Sequence, residues 1–68
     1  MEFGKRLREI RIQKNMTQQA MADEIKVELR TYQRYEQGSR EPSFATLCAL
    51  ADVLEVSTDY LLERNENN

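Results

Sequence analysis

Two amphipathic stretches in the middle of the chain, residues 18–25 and 29–36, are separated only by Lys26, Val27 and Glu28. Met21 and Ile25 supply the inner face of the first and Tyr32 and Tyr35 that of the second, spacings that read as helices. A link this short forces the two to cross steeply rather than lie antiparallel. Steep crossing needs a small residue where the backbones approach, and Ala22 stands there. Val27 and Tyr32 are placed to pin the second helix back onto the first. The pair reads as a helix-turn-helix.

The remaining segments follow the same periodicity. Phe3, Leu7 and Ile10 mark a first helix over about residues 2–14, and Asn15 suits a left-handed residue at its end. Thr17 is a good N-cap for the second helix. The third stops at Gln37-Gly38. Ser43, just after Pro42, caps a fourth whose stripe is Phe44, Leu47, Leu50, Ala51 and Leu54. Ser57 caps a short fifth carrying Tyr60, Leu61 and Leu62. No Val/Ile/Thr-rich alternating run exists, so the expected class is all-α, with five helices and no strands. Sixty-eight residues make one small domain, taken as residues 1–64, followed by a frayed tail over 65–68.

Several function classes are disfavoured. Histidine is absent and Cys48 is the single cysteine, so neither an internal disulfide nor a cysteine-histidine metal site can be built. No phosphate-cradling glycine loop and no nucleophile with an evident base appears, so neither an enzyme nor a cofactor is expected. The early charges Glu2, Lys5, Arg6 and Arg8 fit no signal peptide, and no apolar run approaches the roughly 20 residues of a membrane span. A cytoplasmic protein without membrane contact is the expectation. The net charge of -2 is unevenly spread. Residues 1–40 hold nine Lys/Arg against six Asp/Glu, giving +3, and residues 41–68 hold one against six, giving -5. Such a division suits an anion-facing side with acid turned away from it.

Residues 7–62 carry a joint pattern: Arg11, Thr17-Gln18, Ala22, Tyr35-Glu36-Gln37-Gly38, Pro42-Ser43 and Asp59-Tyr60-Leu61-Leu62. In this spacing the chain resembles the Cro/lambda-repressor type of helix-turn-helix domain, the XRE family. The resemblance implies a compact five-helix lambda-repressor-like fold whose third helix lies in the major groove of double-stranded DNA. Against buried Val27, Thr31, Tyr32 and Tyr35, the outward face of that helix is Glu28, Leu29, Arg30, Gln33 and Arg34. Arginine can grip guanine O6 and N7 with two bonds, and glutamine can do the same for adenine N6 and N7. Arg30, Gln33 and Arg34 are therefore the leading base readers. Leu29 could touch a thymine methyl, and Glu28 could accept from cytosine or repel wrong registers.

By the same resemblance, Thr17 and Gln18 at the start of helix two, and Gln37, Ser39 and Arg40 after helix three, face DNA phosphates, contacts that orient without reading sequence. Arg11 and Glu36 form an ion pair between helix one and the end of helix three in similar domains. Two positions depart from the pattern. Lys26 stands where relatives have glycine, implying either a side chain at positive φ, at about 1 kcal/mol, or a shifted turn, or a reach toward phosphate. Glu28 stands where serine or threonine is usual.

The resemblance implies a sequence-specific DNA-binding transcriptional regulator, a repressor occupying a palindromic operator as a homodimer. The competing reading is a protein-protein module of the same fold, antitoxin-like or anti-repressor, and a regulatory protein partner is compatible with either. Tyr32 and Tyr35 read as core residues rather than stacking platforms, and Cys48 as a small apolar filler. Lys5, Arg6, Arg8 and Lys14 fit a solvated face as well as an electrostatic aid to DNA. Val53, Val56, Tyr60, Leu61 and Leu62 are more apolar surface than one small core is expected to hold, and are the dimer-interface candidates.

Overall fold

The computed structural model describes residues 3–62. The expected domain end at residue 64 and the tail over 65–68 lie outside them. Five helices follow in order: α1 (Phe3–Gln13), α2 (Gln18–Ile25), α3 (Leu29–Gln37), α4 (Phe44–Leu54) and α5 (Thr58–Leu61). This is the five-helix lambda-repressor-like fold, with α2 and α3 as the helix-turn-helix. Among the described residues there is no strand, and no helix is long and apolar enough to cross a membrane.

Hydroxyl caps set three of the helix starts. Thr17 Oγ1 accepts from the Ala20 N–H at 3.0 Å, Ser43 Oγ from Thr46 N–H at 3.2 Å, and Ser57 Oγ from Tyr60 N–H at 3.0 Å. Each satisfies one of the orphan donors of a first turn. Glu28, at the start of α3, has the extended backbone of an N-cap but makes no side-chain cap bond.

Four helix ends close alike. Asn15, Lys26, Gly38 and Glu55 take left-handed backbone with φ of 60°, 63°, 82° and 60°. The next residue then donates its N–H five positions back: Met16 to Arg11, Val27 to Ala22, Ser39 to Arg34, and Val56 to Ala51, at 3.0–3.1 Å. This is the Schellman closure, in which a left-handed residue lets orphan carbonyls be satisfied. Lys26 thus takes positive φ in an unshifted turn, which settles the backbone choice left open by the sequence. Met16, Val27 and Val56 turn back against the core, whereas Ser39 is exposed.

The core joins Leu7 and Ile10 of α1, Met21 and Ala22 of α2, Tyr32 and Tyr35 of α3, Leu50, Ala51 and Leu54 of α4, and Leu61 of α5. Tyr32 and Tyr35 meet edge to face with ring centroids 6.4 Å apart. Val27 and Thr31 are half-buried rather than buried. Helix α3 packs on both α1 and α2, and α5 lies across α1 and α4.

Gly4 explains how α1 reaches α3 so closely. A Cβ there would stand 2.6 Å from the Tyr35 carbonyl oxygen and nearer still to that of Glu36, both immovable backbone. The contact is invisible in the hydrophobic periodicity, because a glycine contributes nothing to it.

Two expectations about apolar residues are corrected. Phe44, read as part of the inner stripe of α4, is 79% exposed. It is the first residue of α4, and helical side chains lean toward the N-terminus, so its ring projects past the end of the helix. Leu61, read as an interface candidate, is fully buried. Because α5 folds across α1 and α4, one core accommodates Leu61, and Val53 and Val56 pack against its edge.

Gly4→Ala is expected to lower stability by about 1–3 kcal/mol, as for other overpacked sites. Urea melts would show a lower midpoint at unchanged slope. Lys26→Gly relieves a side chain at positive φ and is expected to raise stability by about 0.5–1 kcal/mol in the same assay.

Candidate nucleic-acid interface

The exposed side of α3 is set by the burial of its other side. Tyr32 and Tyr35 point into the core, leaving Arg30 and Arg34 exposed one turn apart, with Leu29 and Gln33 half-buried beside them and Glu28 exposed at the helix start. Among the described residues, neither arginine is engaged in an ion pair or a side-chain hydrogen bond, so both guanidinium groups remain available to an outside acceptor. Gln37 is exposed as the last residue of α3, and Lys26, Ser39 and Arg40 are exposed in the turns that flank the helix. Thr17 is exposed at the start of α2, where its hydroxyl is occupied in capping.

A polar cluster fixes this face from below. Arg11 Nε donates to Glu36 Oε2 at 2.6 Å and its Nη2 donates to Glu36 Oε1 at 3.3 Å. Arg11 Nη1 donates to the Met16 carbonyl at 2.9 Å, so α1, the following turn and α3 share one guanidinium. The Tyr32 hydroxyl donates to Glu36 Oε2 at 2.5 Å, and Gln18 Nε2 donates to Glu36 Oε1 at 3.0 Å. The Arg11 and Glu36 side chains are only 11% and 4% exposed. No buried side-chain polar atom among the described residues lacks a partner. This is the condition under which a buried pair is tolerable.

The protonation states follow from this geometry. Burial alone would raise the Glu36 pKa, but hydrogen bonds from Arg11, Tyr32 and Gln18 outweigh it and hold the carboxyl below its ordinary 4.5. Hydrogen bonding to Glu36 raises Arg11 further, against the opposing effect of burial. Burial, reinforced by the Glu36 carboxylate, drives the Tyr32 hydroxyl well above its ordinary range, so it stays a donor.

Gln18, expected among the phosphate contacts, has a further task that its sequence position did not reveal. Its Oε1 accepts from Gln33 Nε2 at 3.2 Å while its amide nitrogen serves Glu36. What α2 leaves for an anion at this point is chiefly backbone N–H, the groups that a helix start exposes. Arg6, grouped by sequence with a solvated basic face, is also committed. Its Nε and Nη2 donate to the Tyr60 carbonyl at 3.2 and 3.0 Å, and its guanidinium lies 4.3 Å from the Tyr60 ring centre. Tyr60, an interface candidate, is 39% exposed beneath it, and Val53, Val56 and Leu62 are half-buried.

Comparison with known proteins gives one consistent pattern. A family model described as helix-turn-helix matches residues 7–61. An uncharacterized HTH-type transcriptional regulator of Bacillus subtilis, YqaE, is 45% identical over 96% of the chain and 56% of its own length. The transcriptional repressor RstR of the cryptic phage CTXphi in Vibrio cholerae is 42% identical over 94% of the chain and 57% of its own length. The HTH-type transcriptional regulator ImmR of Bacillus subtilis is 38% identical over 97% of the chain and 52% of its own length. The chain therefore spans little more than half the length of these relatives. No solved structure gives a significant match.

Because Glu36 is deprotonated in the fold to a lower pH than in the unfolded chain, its contribution is fully present above the ordinary value of 4.5. It is lost as pH falls below that value through the lowered one. Stability from this group is expected to be flat from about pH 7 to 5.5 and to decline in more acid solution. Glu36→Gln is expected to cost about 3–5 kcal/mol at neutral pH, since it strands Arg11, and to flatten the acid limb of urea midpoint against pH.

Proposed function

The chain belongs to the helix-turn-helix family of Cro/lambda-repressor (XRE) type, and we propose that it is a sequence-specific, double-stranded DNA-binding transcriptional regulator acting as a repressor. The observation that carries the proposal is the pair Arg30 and Arg34, exposed on the outer side of α3 and unengaged among the described residues, while Glu36 locks the inner side of that helix to α1 and α2. In this reading α3 enters the major groove, where Arg30, Gln33 and Arg34 meet base edges, Leu29 reaches a thymine methyl, and Glu28 disfavours wrong registers. Thr17, Gln18, Lys26, Gln37, Ser39 and Arg40 face phosphates on either side, Gln18 through its backbone N–H. The names of its relatives support a regulator, and RstR is named a repressor.

Two copies related by a two-fold axis would present their α3 helices about 34 Å apart, one turn of DNA, and so favour a palindromic operator. Val53, Val56, Leu62 and the exposed part of Tyr60 gather where α4 meets α5 and are the residues proposed to pair the copies. Leu61 has no part in this contact. A binding protein of this kind performs no catalysis and needs no cofactor, and it works in the cytoplasm, where its operator is.

Duplexes selected by the protein from a random pool are expected to share a palindromic site, with affinity falling steeply as salt rises. On that site Arg34→Ala is expected to cost about 1–3 kcal/mol and relax preference at one position per half-site. Arg40→Ala is expected to weaken selected and scrambled duplexes alike and to lower the salt slope by about one. Identical behaviour of the two variants on all sequences would refute the division between reading and holding.

A further inference from the structure

The hydrogen bonds running outward from Glu36 have a direction, and that direction reaches the groove-facing side of α3. Glu36 is a carboxylate and can only accept. Gln18 must therefore turn its NH2 toward Glu36, which it does at 3.0 Å. Its carbonyl oxygen is then the end presented to Gln33, which answers with an N–H at 3.2 Å. One N–H of Gln33 is consumed, leaving its carbonyl oxygen and its second N–H. An amide used at both ends in this way cannot flip without breaking two bonds and setting its oxygen against a carboxylate.

The geometry points to Gln18 as the residue that sets the base preference of Gln33, by relaying the acceptor character of Glu36 and so leaving Gln33 with one acceptor and one donor for a base edge. That combination complements adenine, which offers the N6 donor and the N7 acceptor side by side. Were the relay reversed, Gln33 would spend its oxygen on residue 18 and turn its NH2 outward. Two donors complement guanine O6 and N7 instead. Gln18 need not touch the base for this; it is a positioning residue. The low pKa of Glu36 keeps the direction constant, because a protonated carboxyl could donate and release Gln18.

This inference rests on the reading that Gln33 meets a base, and the test separates the two. Duplex selection would be run on the wild type, Gln33→Ala, Gln18→Lys and Gln18→Met, with thermal melts by circular dichroism to establish folding. Lysine can only donate, so it satisfies Glu36 while forcing Gln33 to accept. The wild type is expected to prefer adenine about tenfold over guanine at one position per half-site, and Gln33→Ala to lose preference there alone. Gln18→Lys is expected to invert the preference to guanine by a similar factor. Gln18→Met, whose thioether has no donor and is only a weak acceptor, is expected to bring the two bases within about threefold. If Gln18→Lys does not fold, the methionine variant decides. Retention of adenine by both Gln18 variants, with Gln33→Ala relaxed, would overturn the relay and leave the base-reading role standing. An unchanged site in Gln33→Ala would overturn both, by removing the premise.

Discussion

A single carboxylate holds three helices in register. Glu36 stands near the end of α3 and takes bonds from Arg11 of α1, Gln18 of α2 and Tyr32 of its own helix. Apolar packing of Leu7, Ile10, Met21 and Tyr32 is nondirectional and would tolerate small slides of one helix over another. A planar guanidinium meeting a planar carboxylate does not tolerate them. The value of the cluster is thus positional more than energetic, because a buried ion pair stabilises little against a well-packed apolar substitute. Losing one member is a different matter, since the remaining charge stays buried with nothing opposite it.

Position is what the groove-reading role proposed for α3 requires. The side chains of Arg30 and Arg34 are long and, among the described residues, unpaired, so the accuracy of their placement depends on the backbone that carries them. That backbone is fixed at its C-terminal end by Glu36 and by the approach of Gly4 to the Tyr35 and Glu36 carbonyls. At its start Glu28 contributes no cap bond, and the turn from α2 is held through Lys26 and Val27. Helix α3 is therefore anchored firmly at its far end and by packing, and its entry is held mainly by the turn.

Helix positions were legible because caps and stripes are local. Thr17, Ser43 and Ser57 announce helix starts by residue type, and the observed helices begin one residue after each. The packing of α2 against α3 was legible in a three-residue link and in the small Ala22, which is fully buried. Contacts between distant segments were less accessible. Gly4 has no side chain to enter a pattern, Arg6 binds a carbonyl 54 positions away, and Gln18 is tied to residues 15 and 18 positions on. Phe44 misled because periodicity counts a residue without regard to whether the helix has begun. Leu61 misled because burial depends on where α5 lies, which its own four residues do not specify.

The four left-handed helix ends bear on how the chain finds this structure. Every closing bond spans five residues or fewer, so the corners at Asn15, Lys26, Gly38 and Glu55 can form within a segment that knows nothing of the rest. Met16, Val27 and Val56, following three of those corners, are thereby turned inward against the core. The search left over is the docking of short helices joined by short links, a topology of local contacts that folds in microseconds to milliseconds. The pairing of Arg11 with Glu36 joins residues 25 positions apart and requires α1 and α3 to be side by side. Corner formation and helix placement therefore answer to different residues: the corners close within their own segments, and the carboxylate sets where the helices stand against one another.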